Sequence, residues 1–339
     1  MAQRTLRTLS PRLGARGLAA LTFVGGLSVS TEAWAWTPAL LEADASDGAA
    51  LGRETFPVPD ALRSAVQFWR DLFTRHTSDR VVVHDRESMD VVWRVIELPK
   101  DEAGLVAEAR VDKVVRAEVD AVRARLQRLA SDPTPADDDD RVLLALVGGD
   151  AVRLDGAWLR LRTQRGVADH FRAGLARSRQ WSEGMRGVLA AEGVPPEIAV
   201  LPFVESMFNP VARSYCGAAG LWQLMPATAR GLGLKVKKGG ADERYDVLKA
   251  TRAAARLLKR SYQSLGSWPL ALTAYNHGPN GVRRAVEKVG STDLIVLIDK
   301  YEQGTWGFAS KNFYAEFLAA LSVLSEPEGE SVAASSVRE

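Results

Sequence analysis

The stretch Ile198-Ala-Val-Leu-Pro-Phe-Val204 contains no polar side chain and runs directly into Glu205. We therefore expect the Glu205 carboxyl to lie in an apolar environment, where an ionised carboxylate is poorly solvated. Burial of this kind raises the pKa of a carboxyl group, so that it holds a proton near neutral pH. A protonated carboxyl in that pH range is what a general acid requires.

Two glycine- and aromatic-rich segments follow Glu205, namely Gly217-Ala-Ala-Gly-Leu-Trp-Gln-Leu-Met-Pro226 and Ala274-Tyr-Asn-His-Gly-Pro279. Glycines such as Gly217 and Gly220 let the backbone turn and approach a ligand closely. Together these segments indicate a cleft around one acid. The alternative interpretation of Glu205 is a buried structural acid, satisfied by a salt bridge or a helix N-terminus.

The first 35 residues have the pattern of a secretory signal peptide, with four arginines, a largely apolar run from Leu18 to Val29, and Ala33-Trp34-Ala35 as the cleavage site. We expect the mature chain to start near Trp36. Removing these residues changes the formal net charge from +2 to about −1, because four arginines and one glutamate are lost. This balance argues against nucleic acid as a partner.

The rest of the 339-residue chain has the composition of a globular protein, with 46% hydrophobic and 25% charged residues. Its single cysteine, Cys216, has no partner for an internal disulfide and lies far from the position of a lipid-anchoring cysteine. No segment after the signal peptide reaches the roughly 18 apolar residues of a membrane span. We expect a soluble or peripheral exported protein.

Helical periodicity dominates the chain. An extended lead-in at Phe56-Pro-Val-Pro59 precedes a helix near Asp60, and an apolar stripe from Val111 to Leu129 predicts a long amphipathic helix. The β-branched segments 80–84 and 89–96 are compatible with short strands or buried helix. Amphipathic helices are predicted for the segment 159–165 and for the following residues Phe171, Leu175 and Trp181. Another helix should start at Pro195-Pro196-Glu197 and kink or restart at Pro202. The remaining predicted helices start near Ala227, run from Val247 to Leu265, start at Ser267, and lie around 313–324.

An acidic run, Ser131-Asp-Pro-Thr-Pro-Ala-Asp-Asp-Asp-Asp140, interrupts this pattern. It is interpreted as a solvated linker between helices, because the spaced acidic pattern of a calcium loop is missing. There is also no metal or phosphate-binding motif, and we expect no cofactor.

Five blocks, in order, resemble the soluble-type lytic transglycosylases, the family with a goose-lysozyme-like catalytic domain (glycoside hydrolase family 23). They are Glu205-Ser-Met-Phe-Asn-Pro210, Ser214, Gly217-Ala-Ala-Gly-Leu-Trp-Gln-Leu-Met-Pro-Ala-Thr-Ala229, Asp242-Glu-Arg-Tyr-Asp246 and Ala274-Tyr-Asn-His-Gly-Pro279. The resemblance covers roughly residues 190–325. Within the family the membrane-bound D type is most similar, and Phe56-Pro-Val-Pro59 and Arg162-Thr-Gln-Arg-Gly166 resemble its N-terminal region.

The resemblance implies cleavage of the β-1,4 bond between N-acetylmuramic acid and N-acetylglucosamine of peptidoglycan, which gives a 1,6-anhydromuramoyl end without water. Glu205 would act first as acid and then as base. Most retaining glycosidases need a second carboxylate. In the matched blocks only Asp242, Glu243 and Asp246 offer one, and these are interpreted as paired structurally with Arg244 and neighbouring residues.

The resemblance also assigns the residues around the acid. Ser214, Gln223, Tyr275 and Asn276 correspond to cleft residues that face the sugars, and Tyr275 would direct its hydroxyl to Glu205 or to the substrate's N-acetyl group. Met225 is expected to bind substrate as well. The supporting residues are Ser206, Gly217, Gly220 and Trp222. The alternatives are turn and helix capping for Ser214 and Gln223, a core position for Tyr275, Trp222 and Met225, and a lone exposed histidine for His277.

We thus expect a mainly α-helical protein with a signal peptide (1–35), a mostly helical N-terminal region (36–185), a lysozyme-like catalytic domain (186–325) and a disordered tail (326–339). The expected location is the bacterial periplasm, peripheral to the wall or the outer membrane. The expected partners are peptidoglycan glycan strands, with wall-synthesis or division proteins as further candidates. The D type often carries LysM repeats after its catalytic domain, and none is visible here. A muramidase-type hydrolase and a catalytically silent peptidoglycan-binding protein are the alternative functions.

Overall fold

The computed structural model describes residues 55–99, 105–237 and 239–325. The signal peptide, the start of the mature chain near Trp36 and the tail at 326–339 lie outside these residues. Within them, the mainly α-helical class is confirmed. The α-helices are α1 Arg63–Thr74, α2 Leu105–Ser131, α3 Asp138–Leu146, α4 Ala168–Ser178, α5 Ser182–Glu192, α6 Leu201–Ser206, α7 Pro226–Gly231, α8 Val247–Leu265, α9 Trp268–His277, α10 Pro279–Val289, α11 Leu294–Lys300 and α12 Phe308–Ser325.

Short 3-10 helices connect these elements at Asp60–Leu62, Ala151–Leu154, Ala157–Leu159, Pro196–Val200 and Glu243–Tyr245. Several predicted boundaries are confirmed. Pro202 lies in the first turn of α6, so the chain restarts a helix there. The Ser267 hydroxyl accepts a hydrogen bond from the Leu270 N–H and caps α9. Helices α10 and α11 were not among the predicted elements.

A three-stranded antiparallel sheet has the order β2-β1-β3, with β1 Arg80–Asp85, β2 Val92–Glu97 and β3 Leu161–Arg165. Segments 80–84 and 89–96, which the sequence allowed as short strands or buried helix, thus contribute strands β1 and β2. The helical prediction for 159–165 was wrong: β3 pairs along the free edge of β1, with Gln164 opposite Val82 and Arg162 opposite His84. Long-range pairing decided this segment, and its many charged side chains gave the misleading appearance of an amphipathic helix.

The acidic run is also more ordered than a solvated linker. Asp137 accepts a hydrogen bond from the Asp140 N–H and caps α3. The Asp140 carboxylate is fully buried and ion-paired with Arg125 and Arg128 of α2. A buried charge needs such partners, and these lie on the preceding helix rather than in the run itself.

One core joins the N-terminal region to the remainder of the chain. Helix α1 packs against α12, and its apolar face shares a continuous buried cluster with residues of α5, α6, α8 and α9. A second cluster lies between the other face of the sheet and helices α2 and α3. The division at residue 186 remains a prediction. None of the described helices is both long and apolar enough to cross a membrane.

Candidate active site

Glu205 is the next-to-last residue of α6, a helix whose other five residues are all buried. The preceding 3-10 helix is also buried at Ile198, Ala199 and Val200, so the apolar stretch read from the sequence forms part of the core. Glu205 itself is partly exposed. The helix therefore holds its backbone in the core and turns one carboxyl outwards.

The chain reverses directly after the acid in a left-handed turn, with φ of 49° at Met207 and 54° at Phe208. Bulky side chains rarely adopt this conformation, which costs on the order of 1 kcal/mol or more for each residue. Arg177 of α4 stabilises the turn, since its Nη2 donates to the Met207 carbonyl at 2.7 Å and its Nε donates to the Phe208 carbonyl at 3.0 Å. The orientation of Glu205 thus depends on a residue of the N-terminal region.

A cavity of about 260 Å³ opens over Glu205. Seven of the ten predicted site residues line it, and the three that do not are Gly217, Gly220 and Trp222. The lining residues that the sequence predicted are Glu205, Ser206, Ser214, Gln223, Met225, Tyr275 and Asn276. The lining residues that it missed include Trp69, Gln164, Phe308, Ala309, Phe313 and Glu316.

The Glu205 carboxyl is poorly solvated, and burial raises its pKa to about 8. The negative charge of Glu316 contributes further in the same direction. Among the described residues no hydrogen bond or salt bridge engages this carboxyl, so the alternative of an acid satisfied by a structural partner finds no support here. A protonated acid facing a cleft is able to donate a proton to a bound ligand.

Ser214 and Gln223 stand at the cleft but also bond to the backbone. The Ser214 hydroxyl accepts from the Ala218 N–H at 2.9 Å, which is a contact within a turn and not the cap of a helix. The Gln223 amide nitrogen donates to the Gly220 carbonyl at 2.8 Å. The Gln223 carbonyl oxygen remains able to accept a hydrogen bond from a ligand, while the bond from the amide nitrogen to Gly220 orients the side chain.

The hydroxyl of Tyr275 donates to the Trp222 carbonyl oxygen at 2.7 Å. The hydroxyl therefore bonds to the backbone and not to Glu205, although the tyrosine lines the same cleft, and burial and the Glu205 charge raise its pKa. The other expected partner, the N-acetyl group of the substrate, stays a prediction. Trp222 is fully buried and donates its indole N–H to Thr251 at 2.9 Å. Trp222 is thus a core residue, whereas Met225, 43% exposed, lies on the cleft wall.

Gly217 and Gly220 shape the loop that carries Ser214 and Gln223. Both have positive φ, of 89° and 78°, and a Cβ at position 220 would lie 1.9 Å from the Arg244 carbonyl oxygen. Arg244 in turn donates from Nη1 to the carbonyls of Gly217, at 2.7 Å, and Leu224, at 3.0 Å. The loop therefore folds around Arg244. Only glycine fits at position 220, where the loop contacts the backbone of Arg244.

The acids near Arg244 have structural partners, in agreement with their interpretation. Arg244 forms a two-point salt bridge with Asp242, and the guanidinium bonds lower the pKa of that carboxyl. Glu243 pairs with Lys249 at 2.8 Å. Neither acid lines the cleft.

His277 differs from the lone exposed histidine expected. It is half-buried, its Nδ1 lies 2.9 Å from the Ser310 hydroxyl, and its ring packs edge-on against Trp306 at 4.9 Å. These partners are about 30 residues further along the chain, so its neighbours in sequence gave no indication of them.

Glu316 of α12 is the main cleft residue that was not predicted from the sequence. Its side chain lines the cleft with Glu205, is 6% exposed, and has a pKa that burial raises to about 8. A signal was present, because Glu316 is the sole charged residue in the run Asn312-Phe-Tyr-Ala-Glu-Phe-Leu-Ala-Ala320. The same argument that selected Glu205 applies to it.

Because burial raises the pKa of both Glu205 and Glu316, the stability of the protein should depend on pH. Because the folded protein holds these protons up to about pH 8 while the unfolded chain releases them near 4.5, the free energy of unfolding should fall as pH rises between those values. We expect a slope of at most about 1.4 kcal/mol per pH unit for each group. Denaturant unfolding near pH 5 and pH 8 should show a smaller fall for Glu316→Gln than for wild type. The prediction would be contradicted if the free energy of unfolding fell equally in wild type and Glu316→Gln. It would also be contradicted if the exposed control Glu302→Gln showed as small a fall as Glu316→Gln.

Comparison with known proteins matches the site segment. Residues 188–298 match the model of the Transglycosylase SLT domain family. Membrane-bound lytic murein transglycosylase D of Escherichia coli strain K12 is 39% identical over 102 residues, which are 30% of this chain and 22% of that protein. A transglycosylase of Enterobacteria phage PRD1 is 35% identical over 102 residues, 30% of this chain and 36% of its own.

The match to these relatives is thus local, and the chain spans about a fifth to a third of their lengths. Among solved structures, the 70 kDa soluble lytic transglycosylase of Escherichia coli aligns with 84% of this chain and 55% of its own, at 14% identity and a TM-score of 0.37.

Proposed function

We propose that the protein is a peptidoglycan lytic transglycosylase with Glu205 as its acid and base, because residues 188–298 match the model of the Transglycosylase SLT domain family. The observation that carries this proposal is the geometry of Glu205: a carboxyl at the end of a buried helix, open to a cleft, protonated near neutral pH and bound to no other described side chain. Its substrate is the β-1,4 bond between N-acetylmuramic acid and N-acetylglucosamine.

The reaction needs one protein acid if the sugar supplies the nucleophile. Glu205 donates its proton to the glycosidic oxygen as the bond from C1 of the muramic acid to that oxygen breaks. The N-acetyl carbonyl of the same sugar stabilises the cationic carbon. The Glu205 carboxylate then takes the proton of the C6 hydroxyl, whose oxygen bonds to C1 and gives the 1,6-anhydro product. No water is consumed, and Glu205 ends the cycle protonated.

The other cleft residues support this role through binding. The acceptor oxygen of Gln223 and the amide of Asn276 are suited to acetamido and hydroxyl groups of the sugars. Met225, Phe308 and Phe313 give the cleft apolar walls, which keep water from the acid and favour its protonated form.

A hydrolase that releases a reducing end is the second candidate, and Glu316 is the observation that favours it. A second carboxyl beside Glu205 gives the cleft a group able to position water or to act as nucleophile. The proposed lyase needs no such group, because the substrate supplies the attacking oxygen.

Mass analysis of the soluble products decides between the two reactions. Purified protein incubated with peptidoglycan sacculi should release muropeptides that are lighter by one water than those made by a muramidase control on the same sacculi. Products of the same mass as the control would reject the lyase and support the hydrolase. Absence of release would reject both and leave a binding protein.

The substrate of this reaction lies outside the cytoplasmic membrane. The signal peptide expected at residues 1–35 supplies the matching route, so we infer that the protein acts in the periplasm. Cleavage between Ala35 and Trp36 is checked by sequencing the N-terminus of protein recovered from that compartment.

A further inference from the structure

Gln164 of strand β3 has a buried side chain whose amide lacks a hydrogen-bond partner. The residue is 8% exposed, and no hydrogen bond joins its side chain to another described residue. Buried side-chain amides are usually hydrogen-bonded, because an unpaired donor or acceptor costs free energy. Gln164 also lines the cleft that Glu205 faces. A ligand in the cleft is therefore in a position to supply the missing hydrogen bonds.

The sheet determines the direction of this side chain. Strand β3 is antiparallel to β1, with Gln164 opposite Val82 and Arg162 opposite His84. Side chains two residues apart on a strand lie on the same face of the sheet, so Arg162 and Gln164 share one face. The Arg162 guanidinium carbon lies 3.9 Å from the ring centroid of Phe308, which also lines the cleft. This face of β3 is thus turned towards the cleft, and its contact with α12 holds it there.

The other surfaces on this side of the cavity are apolar. Trp69 of α1 and Phe308 and Phe313 of α12 line it together with Gln164, and the Trp69 indole N–H donates to the Asn312 side-chain oxygen at 3.4 Å. An acetamido group has one N–H donor, one C=O acceptor and a methyl group. Its polar atoms match the acceptor and donors of a glutamine amide, and its methyl group suits an apolar wall. A sugar hydroxyl has no such apolar part, so these surroundings favour the acetamido group.

Resting on the proposed function, we propose that Gln164 is a substrate-binding residue: its side-chain amide forms hydrogen bonds with the acetamido group of an N-acetylated sugar next to Glu205. Both residues line one cavity of about 260 Å³, so a sugar that fills it contacts both. The N-terminal region thereby supplies part of the sugar site, from a strand outside residues 188–298. Gln164 takes no part in proton transfer.

A role in binding and a role in folding give opposite predictions for Gln164→Leu. Leucine is similar in size but forms no hydrogen bond, so the variant loses its bonds to the ligand and removes a desolvated amide from the free protein. We expect the affinity for an N-acetylated oligosaccharide to fall by about tenfold. The denaturant midpoint of the free protein should stay the same or rise. An amide that stabilised the fold would lower that midpoint when replaced.

The binding test is isothermal titration of the full mature chain with the N-acetylglucosamine trimer. All proteins carry Glu205→Gln, so that no ligand is consumed. The matched controls are Thr163→Val, at an exposed position on the other face of β3, and Gln127→Leu, at an exposed glutamine of α2. Both should bind the trimer as the Glu205→Gln parent does. Cellotriose has hydroxyls in place of the acetamido groups, and Gln164→Leu should not weaken its binding.

Three results would overturn the proposal. The first is an affinity of Gln164→Leu for the trimer within about twofold of the parent, or no binding of the trimer by the parent. The second is an equal loss of affinity for cellotriose, which would show a general distortion of the cleft. The third is a failure to fold of both Gln164→Leu and its substitute Gln164→Met, since the amide would then be structural.

The titration needs no turnover, whereas the mass of the products released by wild type tests the proposed function separately. Loss of the trimer affinity in Gln164→Leu would thus support the inference even if no muropeptides were released. Release of anhydro products with an unchanged affinity in Gln164→Leu would overturn the inference and leave the proposed function in place.

Discussion

Glu205→Gln should abolish release of muropeptides while leaving binding to glycan strands unchanged. The amide of glutamine has nearly the shape of the protonated acid but donates no proton to a glycosidic oxygen, and it accepts none from the C6 hydroxyl. Loss of a general acid typically lowers the rate by about 10²- to 10⁴-fold. Since one residue serves in both steps here, we expect the upper end of this range. The measurement is the rate of sacculus lysis beside a pull-down with insoluble peptidoglycan.

The substitution should not unfold the protein. Among the described residues no hydrogen bond or salt bridge holds the Glu205 carboxyl, and removal of a desolvated ionisable group should raise stability at neutral pH. Denaturant unfolding of the variant checks this point, and Glu302→Gln is the control for a neutral surface change. Undiminished lysis by a folded Glu205→Gln variant would remove Glu205 from the mechanism.

Gly220→Ala should be among the most destabilising single-methyl substitutions in the chain. The new Cβ would lie 1.9 Å from the carbonyl oxygen of Arg244, at a residue whose φ is 78°. Backbone would have to move on one side or the other, which costs on the order of 3 kcal/mol or more. The displaced loop carries Ser214 and Gln223, so lysis should fall with stability. Chemical denaturation and the sacculus assay measure the two effects.

Gly217→Ala is the matched control, because that glycine has a similar φ of 89° but no heavy atom within 4 Å of the added Cβ. It tests the conformational strain alone, which should cost on the order of 1 kcal/mol. Equal destabilisation by the two substitutions would show that contact with Arg244 is not the cause.

The sequence was most informative where local signals agreed. The apolar run before Glu205 predicted a buried segment with one desolvated acid, because burial of such a run follows from its composition alone. Pro202 and Ser267 marked helix starts through the backbone conformation and hydrogen bond that each one provides. The expected helical class followed from apolar periodicity in the long segments.

The remainder depended on contacts between distant parts of the chain. Strand β3 forms because it pairs with the edge of β1, about 80 residues earlier in the chain. The charged residues of β3 themselves give no indication of a strand. The partner of the Tyr275 hydroxyl is a backbone carbonyl 53 residues away. Glu316, like Glu205, is an acid that adjoins an apolar run, but it lies outside the five blocks that carry the family resemblance.

The segment that matches the family model, residues 188–298, contains the acid but not its whole surroundings. Trp69 and Gln164 precede it, Phe308 and Phe313 follow it, and Arg177, which holds the turn after Glu205, also lies outside. A chimaera that carried this segment alone in a relative would therefore contain Glu205, while the flanking part of the cleft lining would come from the recipient protein. Differences in substrate choice between proteins that share this segment would then originate in the sequence that flanks it.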